Sequence, residues 1–141
     1  MKLARLTDPM PLPATEQEVV VALAMAMAPC PVWWGYAPAE DVETPPSLPL
    51  VVVVRSSAIV RTDWADMCEE PPADATPADL TLQIRAWHPN YGEARALQRS
   101  IRATLRSLTG WAEQGEFDVR DGDLRAWVIS SDWLAVAAVL D

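Results

Sequence analysis

The stretch Leu80–Leu108, LTLQIRAWHPNYGEARALQRSIRATLRSL, constrains the fold more than any other part of the chain. Leu80, Leu82, Ile84 and Ala86 alternate with Thr81, Gln83, Arg85 and Trp87, the period of two that a half-buried strand requires. His88-Pro89-Asn90-Tyr91-Gly92 then interrupts the alternation with turn formers. From Glu93 onward Ala94, Leu97, Ile101, Leu105 and Leu108 recur at spacings of three and four, one face of a helix. Two more stripes run along that helix: Arg95, Arg99, Arg102 and Arg106 on one flank, and Ala96, Ser100, Ala103 and Ser107 on the other. A strand running directly into such a helix calls for a sheet with the helix laid across it. The apolar face meets the sheet, the small residues suit a close neighbour, and the arginines carry charge.

The flanking segments extend this plan. Met1–Ala14 holds Pro9, Pro11 and Pro13 and reads as an extended arm. Thr15-Glu16-Gln17-Glu18 is a capping box that opens a helix to about Ala28, ended by Pro29 and Pro31. Its apolar residues spread around the circumference, which predicts burial on all sides, within the chain or against another. Cys30–Pro49 is a proline-rich connector with Trp33, Trp34 and Tyr36, and Val42–Thr44 is a candidate short strand inside it. Leu50–Val54 is a β-branched run suited to a strand buried on both faces, bent at Arg55-Ser56-Ser57 and continued by Ala58–Arg61. Residues 63–77 form a long acidic, proline-rich loop with Asp63, Asp66, Glu69, Glu70 and Asp74. After the second helix, Gly110 suits a helix end, Gly115–Arg120 and Leu124–Ile129 flank an Asp121-Gly122-Asp123 hairpin turn, and Ser130-Ser131-Asp132 turns again before Trp133–Leu140. The expected architecture is α+β: an antiparallel or mixed sheet of about four to five strands with two helices packed on it, in a single domain over residues 15–141.

Composition narrows the function. The chain has 141 residues and a formal net charge of −9, which disfavours general phosphate binding and anionic membranes. The apolar run Val19–Ala28 is too short to span a bilayer, and Glu16 and Glu18 before it are wrong for a signal peptide. Cys30 and Cys68 form no paired motif, so neither a disulfide framework nor a zinc site is expected. The acidic loop lacks the alternating ligands and glycine of a calcium loop. No glycine-rich phosphate loop is present. The one histidine, His88, sits in a turn with no orienting partner nearby in sequence, so no nucleophile and base set can be assembled. A non-catalytic protein without a cofactor is expected.

What remains are contact features. Seven tryptophans against one phenylalanine suit protein interfaces as well as cores. Four arginines on one helix flank suit bidentate pairing with carboxylates, and in an acidic chain the acidic loop of an adjacent copy is a candidate partner. Trp33, Trp34 and Tyr36 are candidates for a contact platform.

The layout, from the first helix through Leu48-Pro49-Leu50-Val51-Val52, a long loop, the strand ending in Trp87, the turn Asn90-Tyr91-Gly92 and the helix starting Glu93-Ala94, resembles the tail terminator (tail completion) proteins of long-tailed bacteriophages and related gene transfer particles. The resemblance covers roughly residues 16–140 and is topological. It implies a homo-oligomeric ring, usually a hexamer, on the tail tube. Such a ring stops tube growth, meets the head-side connector or stopper and lets DNA pass through its bore without specific binding. It also implies a protein made in the host bacterial cytoplasm and built into the virion. A head–tail stopper or another neck protein is the nearest alternative, and a small ligand- or protein-binding module is the alternative from a different class.

Overall fold

The computed structural model describes residues 16–35, 48–60 and 76–140. The elements in chain order are α1 (Glu16–Met27), β1 (Val32–Trp34), β2 (Leu50–Val60), β3 (Thr76–His88), α2 (Tyr91–Ser107), β4 (Trp111–Asp121) and β5 (Ala126–Leu140). They build an α+β fold on a five-stranded mixed sheet of order β1-β2-β3-β5-β4. β1 runs parallel to β2, and every other neighbouring pair is antiparallel.

The expected alternating strand is the centre of this sheet. Leu80, Leu82, Ile84 and Ala86 of β3 are fully buried on one face. Register carries that face outward to Val51 and Val53 of β2 and to Ile129, Trp133 and Ala135 of β5. Both helices cover it: Val19 and Leu23 of α1 and Ile101 and Leu105 of α2 join the same core cluster. α2 begins at Tyr91, two residues before the expected start, because the Asn90 side chain accepts from the Glu93 amide at 3.0 Å and caps the first turn. Gly110, at φ 94°, supplies the left-handed backbone that takes the chain from α2 into β4.

Three expectations need correction, and one is narrowed. Within this chain α1 is covered on one side, which leaves cover by another chain as the open alternative. Glu16, Val19, Leu23 and Met27 face inward, while Val21 is 49% exposed and Met25 78% exposed. Ser130-Ser131-Asp132 is not a turn but the middle of one continuous strand, β5. Ser130 and Ser131 lie opposite Arg85 and Ile84 at the centre of the sheet, and the Ser131 hydroxyl accepts from Trp133 Nε1–H at 2.9 Å. A polar pair that looks like a turn is tolerated in a strand when its neighbours supply both the ladder and side-chain bonds. β4 starts at Trp111, earlier than the expected Gly115, and bulges between Glu113 and Gly115. The connector after Cys30 contains β1, a three-residue strand too short to show periodicity. The terminal arm, Thr15, Tyr36, the candidate strand Val42–Thr44 and most of the 63–77 stretch, including Asp63, Asp66, Glu69 and Glu70, lie outside the described residues.

One polar residue breaks the apolar stripe of α2. Gln98 is fully buried, and neither its amide nitrogen nor its amide oxygen has a partner. Two unsatisfied groups in the core carry a desolvation cost with no return. Gln98→Met, which keeps length and volume, is expected to stabilise the fold by about 1 kcal/mol. A thermal melt shows this as a higher midpoint than wild type.

Candidate functional site

The arginine flank of α2 divides into two pairs of residues. Arg95 reaches Glu116 at 2.5 Å and Asp118 at 3.4 Å. Arg102 donates through Nε and Nη2 to the two oxygens of Glu113, at 2.8 and 3.0 Å, and through Nη2 to Glu116. Tyr91 extends the chain by donating its hydroxyl to Asp118 at 2.5 Å. These carboxylates all belong to β4, so two of the four arginines tie their own helix to their own sheet edge. Arg99 and Arg106 are exposed and form no salt bridge with a described residue.

The bulge makes this clamp possible. Residues three apart on a regular strand point to opposite faces, but Glu113 lies opposite Trp133 and Glu116 opposite Ser131, both on the helix side. The extra residue between Glu113 and Gly115 resets the alternation. No periodicity rule applied to the sequence would place both glutamates under one helix.

The Arg102 hydrogen bond, aided by attraction to Arg102 and Arg106 and opposed by burial, holds the Glu113 carboxyl below its ordinary value. A depressed folded-state value adds stability above the unfolded-state pKa, and this is lost as pH falls through the folded value. The urea midpoint of the wild-type chain is therefore expected to drop as pH falls below the ordinary carboxylate range. Glu113→Gln is expected to remove part of that drop. Equal acid sensitivity in both proteins would contradict the assignment.

The helix N-terminus is ordered by ring contacts. Tyr91 packs edge-on against Trp127 with centroids 5.0 Å apart, and the Arg120 guanidinium lies 5.6 Å from the Trp127 centroid. The Asp118 hydrogen bond and burial push the Tyr91 phenol up. His88 Nδ1 accepts the Asn90 backbone N–H at 2.9 Å, a structural role in the turn before α2. Burial raises the Cys30 thiol. Among the described residues no group of His, Cys, Asp or Glu could hold a metal ion, and no helix is long and apolar enough to cross a membrane.

The small-residue flank faces outward: Ser100, Ala103 and Ser107 are exposed and Ala96 is half-buried. Trp33 and Trp34 lie on β1 at the sheet edge, 41% and 39% exposed.

The composition of the helix-free face could not be read from the sequence. Register aligns Val52, Arg85, Ser130 and Phe117 in one row across the strands, and Leu50, Trp87, Val128 and Val119 in the next. Toward β4 the rows form an open groove of about 430 Å³, closed at one end by the Arg120–Gly122 turn. Its outer wall is exposed aromatic and aliphatic surface, Phe117 at 50% and Val119 at 46%. Inside, the Ser130 hydroxyl and Trp87 Nε1 have no partner, and Arg85 forms no salt bridge with a described residue. An apolar groove with two idle polar groups, lined also by Arg85, Arg120 and Asp121, suits a protein surface that brings apolar side chains.

No family model matches the chain, and no curated protein matches it in sequence. Its fold is similar to that of a chain from the virion of a native gene transfer agent (GTA) particle. The TM-score is 0.52 at 13% identity, over 85% of this chain and 89% of that one, so the two chains share a fold across most of their lengths.

Proposed function

We propose that the chain is a non-catalytic structural protein of a phage-like virion, and within it the tail terminator. On this reading, copies of the chain form a ring, a hexamer by analogy with the family it resembles. The ring caps the tail tube, meets the head-side connector and lets DNA through its bore. The protein is made in the host bacterial cytoplasm and ends in the neck of the particle. The observation that carries this is the fold shared with a gene transfer agent virion chain over nearly the whole of both. The exposed apolar surfaces at Val21 and Met25 and at Phe117 and Val119 support it, since a chain that works alone has little use for them. The excess of carboxylates over cations suits a bore through which phosphates slide without sticking.

Light scattering on the purified chain across a concentration series tests the reading. A mass several times 15.5 kDa, or one that rises with concentration, is the expected result. A strict monomer at every concentration would favour a small binding module.

A further inference from the structure

We draw no further inference here: the strongest candidate, the open groove beside β4 on the helix-free face, lined by Trp87, Phe117 and Val128, carries nothing because nothing in the structure shows what covers it.

Discussion

Trp133→Ala is expected to cost about 3–5 kcal/mol, a large part of the roughly 5–15 kcal/mol that holds a domain together. Trp133 is 1% exposed and belongs to the core that α1, α2 and four strands share. It lies opposite Leu82 on one side and Glu113 on the other. Truncation removes its buried ring area, leaves a cavity in a close-packed layer, and takes the Nε1–H donor from the Ser131 hydroxyl at 2.9 Å. Urea unfolding reads the loss as a lower midpoint at an unchanged slope. Trp133→Phe keeps most of the ring and loses the donor, so a smaller loss is expected. A Trp133→Ala chain as stable as wild type would mean that the helix layer does not sit where it is described.

Arg55→Ala is the second large effect, with an expected cost of about 2–3 kcal/mol. Glu16 opens α1 yet is only 3% exposed, and Arg55 from β2 donates to its Oε1 through Nε at 2.7 Å and through Nη2. Removing the arginine leaves a buried carboxylate without this cation. The cost falls short of the full penalty for breaking a buried pair because Arg55 is 42% exposed and the carboxylate sits in the first turn of a helix, where the dipole favours it. Glu16→Gln in the Arg55→Ala background is expected to recover part of the loss. A double-mutant cycle measures the coupling; coupling near zero would show that the pair does not anchor α1 to the sheet.

Local periodicity made the central layer legible. The alternation through Leu80–Ala86 and the spacing of Ala94, Ile101 and Leu105 each follow from one element's own geometry, and the structure places both sets in one core. The long β2, with its irregularity at Arg55 to Ser57, was legible for the same reason. Features that depend on register between strands were not. The Glu113–Gly115 bulge decides which carboxylates lie under α2, and so converts half of the arginine flank from an external surface to an internal clamp. The groove brings Arg85, Ser130 and Phe117 into one row from three strands up to 45 residues apart in sequence, a juxtaposition that only the pairing defines. Ser130 and Ser131 misled because local composition marks turns, while the partner strands on both sides hold this segment extended. The outer face of α1 illustrates the reverse case. Its all-round apolar character was plain in sequence, but among its apolar residues full burial inside the chain is reached at Val19, Leu23 and Met27, with Val20 partly buried beside them.

The proposed role is that of a ring that ends a tail tube. The most direct measurement adds the purified chain to polymerising tube protein of the same particle and follows tube length and tube ends by negative-stain electron microscopy. The expected result is shorter tubes with an extra ring of density at one end. Tubes that grow to their usual length with bare ends at saturating chain would contradict it.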